Sequence, residues 1–174
     1  MIETERLVLR RWRAEDAVPF FAMARDAEVM RYLLPMTEAE CADTVTRMNA
    51  LADSTGDCFW AVERRADGAF LGFCGIKAGR ADTPIAGLPE LGWRLARTAW
   101  GQGYAHEAAS ACIARAWTRG AARLVAITVP ANTRSWGLME RLGMTRVADG
   151  DFDHPAVADG DPLKRHLTCQ IDRP

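Results

Sequence analysis

The segment Trp100-Gly101-Gln102-Gly103-Tyr104-Ala105-His106-Glu107-Ala108 decides how the rest of this 174-residue chain is read. Its two glycines stand between a strand-like run, Glu90-Leu91-Gly92-Trp93-Arg94-Leu95, and the most regular helical pattern in the sequence. Glycine tolerates positive φ, so the backbone there can turn sharply and aim several N–H groups at one anion. The helix N-terminus that follows adds about half a positive charge, which makes a phosphate the natural guest. Two familiar phosphate loops fail on residues. A dinucleotide fingerprint starting at Gly101 needs glycine at 106, where the chain has His106. A Walker-type loop needs a Gly-Lys-Ser/Thr ending, and none occurs.

Downstream of the turn, Ala105, Ala108, Ala109, Cys112, Ile113, Ala116 and Trp117 form one apolar stripe at helical spacing. They predict a helix over 103–119 that ends at Gly120 and whose small side chains let it lie close to a sheet. Leu124 to Val129 reads as a strand covered on both faces. A short helix over 133–142, closed by Gly143, precedes strands near 144–149 and 164–171, with an acidic loop between them. Upstream, Arg6-Leu7-Val8-Leu9-Arg10 alternates as a half-buried strand, and Asp16 is placed to cap a helix over 17–25. Thr37 and Glu40 match a capping box that opens a second helix ending before Gly56. Strands near 58–65 and 69–77 flank a hairpin turn at Asp67-Gly68, and a loop over 79–89 follows. Gly92, inside the next strand, predicts a bulge or a close backbone approach. The order β-α-α-β-β-β-α-β-α-β-β describes a mixed sheet in an α/β domain spanning 1–174.

Composition narrows the function. Apolar residues make up 49% of the chain, enough for a single sizeable core, and the net charge of −1 argues against a nucleic-acid or anionic-membrane partner. The opening Met1-Ile2-Glu3-Thr4-Glu5-Arg6 has no charged-then-apolar signal pattern, and no apolar run approaches the roughly 18 residues of a membrane span. Cysteines 41, 58, 74, 112 and 169 stand apart and are odd in number, which predicts reduced thiols in a cytoplasmic protein. His106, His154 and His166 pair with no cysteine at ligand spacing, so no metal is expected.

Gly101-Gln102-Gly103-Tyr104-Ala105 followed by Glu107-Ala108 resembles motif A of the GNAT superfamily of acyl-CoA N-acyltransferases. Three further segments resemble its ribosomal-protein N-terminal acetyltransferase-like branch. They are Thr4-Glu5-Arg6-Leu7-Val8-Leu9-Arg10, Glu90-Leu91-Gly92-Trp93, and Asn132-Thr133-Arg134-Ser135 running to Arg141-Leu142-Gly143-Met144. The joint pattern covers residues 2 to about 148. It departs at Trp100, where the general motif begins with Gln or Arg, so the phosphate grip rests on backbone rather than on that side chain. The resemblance implies a mixed, mostly antiparallel sheet that splays between the strands over 91–96 and 124–129. It also implies acetyl-CoA as cosubstrate and an amine as acceptor. A homodimer is compatible with it, and the sequence does not set the oligomeric state.

By that resemblance, the backbone of Gly101, Gln102, Gly103, Tyr104, Ala105 and His106 holds the CoA pyrophosphate. The backbone at Trp93 and Leu95 meets pantetheine or the thioester carbonyl, Asn132 bonds CoA or pins its loop, and Arg97 or Arg134 reaches a phosphate. Acetyl transfer needs a neutral amine, whereas an α-amine has a pKa near 8 and a lysine near 10.4. Glu90 is the carboxylate placed to assist, directly or through water. Ser135 falls where the branch aims a hydroxyl at the CoA sulfur. A hydroxyl is a far weaker acid than a thiol of pKa about 8.5, so Ser135 acts as a hydrogen-bond donor rather than the final proton source. Asp151 and His154, in the acidic loop, are the candidate acceptor-side residues, suited to a cationic amine. Three functions stay open: acetylation of a protein N-terminal α-amine, acetylation of a small-molecule amine, and a GNAT-fold sensor that holds CoA without turnover. Retention of both Glu90 and Ser135 favours an enzyme.

Overall fold

Alternating apolar residues set the sheet. Leu7 and Leu9 are wholly buried, and their strand pairs antiparallel with Phe59–Arg64, where Trp60 and Val62 extend the same buried face. The computed structural model describes residues 1–174. Its strands are β1 (Ile2–Glu3), β2 (Leu7–Arg10), β3 (Phe59–Arg64), β4 (Phe70–Ala78), β5 (Pro89–Leu95), β6 (Arg123–Thr128), β7 (Thr145–Arg146), β8 (Phe152–Asp153) and β9 (Arg165–Asp172). The helices are α1 (Ala17–Ala24), α2 (Ala27–Met30), α3 (Glu38–Thr55), α4 (Tyr104–Thr118) and α5 (Thr133–Arg141). The sheet runs β1-β2-β3-β4-β5-β6-β9-β7, with β8 on β9. Every pairing is antiparallel except β5 with β6. This is the mixed, helix-flanked α/β arrangement expected from the element order.

The larger core lies between the sheet and α4, whose Ala108, Ala109, Cys112, Ile113 and Ala116 are buried as the helical stripe predicts. A second core, built on Trp12, Phe20, Phe73 and Val45, joins the opposite face of β3 and β4 to α1 and α3. Thr37 and Glu40 close the predicted capping box, and Gly56 ends α3 at φ +80°. All five cysteines are buried free thiols.

Three expectations change. The strands β1 and β8 and the single turn α2 were not foreseen, being too short to show a period. Gly92 makes no bulge, since the β4–β5 register runs unbroken from Gly72↔Leu95 to Ala78↔Pro89. Its missing side chain instead admits the Phe59 ring, whose Cζ would lie 2.7 Å from an added Cβ. Asp16, expected as an N-cap of α1, has helical φ and ψ and caps nothing there. Its carboxylate is buried, accepting from the Arg13 N–H at 2.7 Å and from both Arg10 Nη atoms at 2.7 and 2.8 Å. Arg10 also donates to Glu63 at 2.6 Å, which completes a buried charge cluster. Truncating Asp16 leaves the buried Arg10 cation without its main partner. Asp16→Ala should therefore lower unfolding free energy by about 3 kcal/mol or more in a denaturant titration. A loss under about 1 kcal/mol would show that the cluster is solvated.

Candidate active site

The strand pair β5–β6 is matched at one position only, Glu90↔Val125. Beyond it the strands diverge, and no other strand enters the gap. Ala96 N–H donates to Leu71 O on the β4 side, so alternation turns the N–H groups of Trp93 and Leu95 toward the opening. The Leu95 carbonyl, on that same edge, accepts from Trp100 Nε1 at 2.8 Å.

The glycine turn lies past the wide end of this gap. Gly101 and Gly103 have φ of +74° and +81°, a region costly for any residue with a Cβ. Between them they leave the N–H groups of residues 101 to 106 without a protein acceptor. Such a run of unpaired amides at a helix N-terminus suits a multiply charged anion. Gln102 points its amide to Thr98 O at 2.7 Å, and His106 approaches only Ser110, at 3.5 Å. Arg134, in the first turn of α5, lies 4.8 Å over the Trp100 ring. Trp100 is therefore a fixed platform that brings a cation beside the turn. A shallow surface groove lined by His106, Ser110, Trp117, Arg141 and Leu142 runs from the turn along α4 beside the end of α5.

What aims the turn is Glu107, one helical turn in. Its carboxylate accepts from Thr4 Oγ1 at 2.6 Å, the Arg6 N–H at 2.9 Å and Arg6 Nε at 2.7 Å. Arg6 continues to Gln102 O at 2.9 Å and stacks over Tyr104. Partial burial pushes the Glu107 pKa up, but the hydrogen bonds from Thr4 and Arg6 together hold it below the usual carboxylate range. Two stretches of the sequence pattern, Thr4-Glu5-Arg6 and the glycine turn with Glu107, are thus two halves of one clamp.

Glu90 sits at the closed end of the gap. Lys77, its cross-strand partner, donates to it at 2.5 Å and stands over the Phe59 ring. Pairing puts Glu90, Val125, Gln170, Thr168 and His166 on one face of the sheet. Ser135 is at the opposite margin, in the first turn of α5, which packs on the α4 side. Asn132 caps that helix by accepting from the Ser135 N–H at 3.3 Å, while Ser135 Oγ bonds to nothing in the chain. Trp93 and Leu95 thus lie along the open edge of β5, with Glu90 at its closed end, the turn and Arg134 reached through Trp100, and Asn132 and Ser135 beside Arg134 at the start of α5.

The two acceptor-side residues part company. Asp151 is tied to Arg146 at 2.5 Å beyond β9, away from Glu90. His154 packs 4.9 Å from His166, which in turn stacks on Phe152. His166 is a residue that sequence reasoning passed over, although its strand parity could have placed it. Its Nδ1 faces Lys164 O and His154 Nδ1 accepts from the Ala156 N–H. Burial pushes both imidazoles below their ordinary value, against a smaller opposing pull on His166 from Glu90. No three His, Cys, Asp or Glu side chains are grouped to hold a metal ion, and no helix is long and apolar enough to cross a membrane.

A family model described as an acetyltransferase (GNAT) domain matches residues 6–145. The uncharacterized protein YkkB of Bacillus subtilis is 30% identical over 144 residues, covering 81% of this chain and 83% of that protein. A putative GNAT-family acetyltransferase from Bordetella pertussis superposes with a TM-score of 0.77 at 27% identity, covering 97% of each chain. The ribosomal L7/L12 alpha-N-protein acetyltransferase RimL, solved with coenzyme A, shares the fold at a TM-score of 0.77 and 15% identity, over 97% of this chain and 95% of that one.

Two outcomes follow. An added Cβ at Gly101 meets nothing within 4 Å, so Gly101→Ala tests the backbone conformation alone. It should weaken acetyl-CoA binding about tenfold by calorimetry, from the ~1–2 kcal/mol cost of a left-handed alanine, and Gln102→Ala should change it less than threefold. Equal losses would place the grip on side chains. Because burial depresses the pKa of His154 and His166, the unfolded chain binds more protons in mild acid. Stability should fall as pH drops below about 6.5, and His166→Gln should flatten that slope in thermal melts from pH 7 to 5. An unchanged slope would mean that His166 charges freely in the folded state.

Proposed function

The chain belongs to the GNAT acetyltransferase family, and on that premise we propose that it moves the acetyl group of acetyl-CoA to a primary amine by direct attack in a ternary complex. The observation that carries this reading is the run of unpaired amides at residues 101 to 106, set past the open end of a strand pair joined only at Glu90↔Val125. Those amides suit the pyrophosphate of CoA. The exposed edge at Trp93 and Leu95 suits the amide-bearing pantetheine arm. Arg134, on its Trp100 platform, supplies a further charge for a phosphate, and Asn132 caps the helix from whose first turn Ser135 projects.

In this reading Glu90 receives a proton from the acceptor ammonium, directly or through water, as the amine nitrogen attacks the thioester carbonyl. The N–C bond forms, the C–S bond breaks, and the sulfur leaves with a hydrogen bond from Ser135. The proton that ends on sulfur comes from the acceptor or from water, because a serine hydroxyl is too weak an acid to give it up. Lys77 neutralises Glu90 in the absence of acceptor, so an incoming ammonium competes for the same carboxylate. His154 borders the acceptor beside His166, and Asp151 contributes by anchoring their loop through Arg146.

A protein N-terminal α-amine is the favoured acceptor, supported by the fold shared with RimL and with the ribosomal-protein-S5-alanine acetyltransferase of Vibrio fischeri. A CoA-release assay over peptides, amino compounds and polyamines tests the reading, and a small amine outperforming every peptide would move the acceptor class. CoA binding with no release on any acceptor would make the protein a sensor. Glu90→Gln should lower kcat most at low pH, where the amine is most protonated. An unchanged pH profile would remove Glu90 as base. Ser135→Ala should reduce kcat about tenfold or more, with acetyl-CoA affinity held within threefold, as for loss of a donor that acts on developing charge. Equal losses in both would mark Ser135 as a binding residue only.

A further inference from the structure

Arg94 is the one arginine of the sheet interior that has no carboxylate. Alternation along β5 puts it on the same face as Glu90 and Gly92, with Gly92 between them under the Phe59 ring. Phe59 stacks on Phe73 at 5.2 Å, and the Arg94 guanidinium lies 5.4 Å over Phe73 and 5.8 Å over Phe20 of α1. Nη1 finds only thioether sulfurs, Met36 Sδ at 3.2 Å and Met30 Sδ at 3.8 Å. Nε is buried and bonds to nothing. Nη2 likewise has no hydrogen-bond acceptor in the chain. Arg10, the other arginine packed into the sheet, makes the contrast plain, since Asp16 and Glu63 saturate it.

A cation drawn out of water without a counter-charge destabilises the fold, and aromatic faces and sulfurs offset only part of that. Burial accordingly lowers the pKa of Arg94 to about 10, with no nearby carboxylate opposing it. Apolar residues of similar volume would fill this position at less cost, which is the mark of a side chain retained for a ligand. The ligand must supply an anion to the guanidinium where the chain leaves it unbonded, and a carboxylate does so with a charge-assisted hydrogen bond.

We propose that Arg94 is a specificity-determining residue of the acceptor site, receiving a carboxylate that the acceptor carries in addition to its amine. The proposal rests on the acetyl-transfer reading, because Glu90 marks the amine end of the same face. The two positions are four residue steps apart along β5, about 13 Å between Cα atoms, with the Phe59 ring standing between. The amine and the carboxylate are therefore several bonds apart. An ω-amino acid or a short peptide with an acidic side chain satisfies this, and a compact α-amino acid does not.

The test compares matched acceptors by CoA release. One pair is 6-aminohexanoate and 6-aminohexanamide, and the other is the amidated peptides Ala-Ala-Glu and Ala-Ala-Gln. The protein should prefer the acidic member of at least one pair by tenfold or more in kcat/KM, and the pair that shows it identifies a small or a peptide acceptor. Arg94→Met should bring that ratio to near one, chiefly through KM, and Arg94→Lys should leave an intermediate ratio. A ratio near one in the unaltered protein, or one unmoved in Arg94→Met, overturns the proposal. A second measurement needs no turnover. Glutarate should raise the melting temperature of the unaltered protein and not that of Arg94→Met, while Arg94→Met alone should melt higher than the unaltered protein. A lower melting temperature with no glutarate response in either would make Arg94 a packing residue. Absence of CoA release with every acceptor would defeat the acetyl-transfer reading, and the glutarate response would still decide Arg94.

Discussion

The carboxylate of Glu107 ties the first residues of the chain to the glycine turn that we assign to the cosubstrate. Thr4 and Arg6 are more than 100 residues away in sequence, yet three of their donors meet on this one group. A negative charge in the first turn of a helix is favourable by itself, but left alone it would repel a phosphate at the same helix end. Arg6 neutralises it and at the same time holds the Gln102 carbonyl, so the unpaired amides keep their orientation and the helix end keeps its positive character. Gly101 and Gly103 provide the conformation, and the clamp keeps it in place.

The second constraint is the short parallel contact between β5 and β6. A strand pair matched at a single position leaves backbone donors and acceptors unpaired inside a domain, an arrangement that native structures tolerate where a ligand or water completes it. The opening is held apart from outside. Trp100 occupies the edge of β5 through Leu95, Arg134 covers Trp100 from α5, and β9 braces the far side of β6 over six residue pairs. The two faces of the sheet then take different tasks. The α4 face carries the turn, Asn132 and Ser135, and the other carries Glu90, His166 and Arg94.

Much of this was legible in the residues. The stripe from Ala105 to Trp117, the capping box at Thr37 and the hairpin at Asp67-Gly68 are local signals, and the structure keeps each of them. Asp16 shows where local signals mislead, because its short side chain suits a cap but Arg10 offers a bidentate partner in the interior. Gly92 signalled a bulge or a close backbone approach, and what its missing side chain admits is an aromatic ring. His166 and Arg94 escaped notice because what singles them out is contact with Phe152, Met36 and Phe20, none of which is near them in sequence. Trp100 looked like a departure from the family pattern and proves to be the support for Arg134.

The central claim is that the backbone from 101 to 106, with the open edge of β5, receives acetyl-CoA. Amide-resolved NMR during a titration with CoA addresses it directly. The N–H resonances of Gly101 to His106 and of Trp93 and Leu95 should move together and downfield, as amides do when they gain a strong acceptor, while those of α3 stay in place. If the turn amides stay fixed while resonances elsewhere follow CoA to saturation, the account is wrong about where and how this chain holds its cosubstrate.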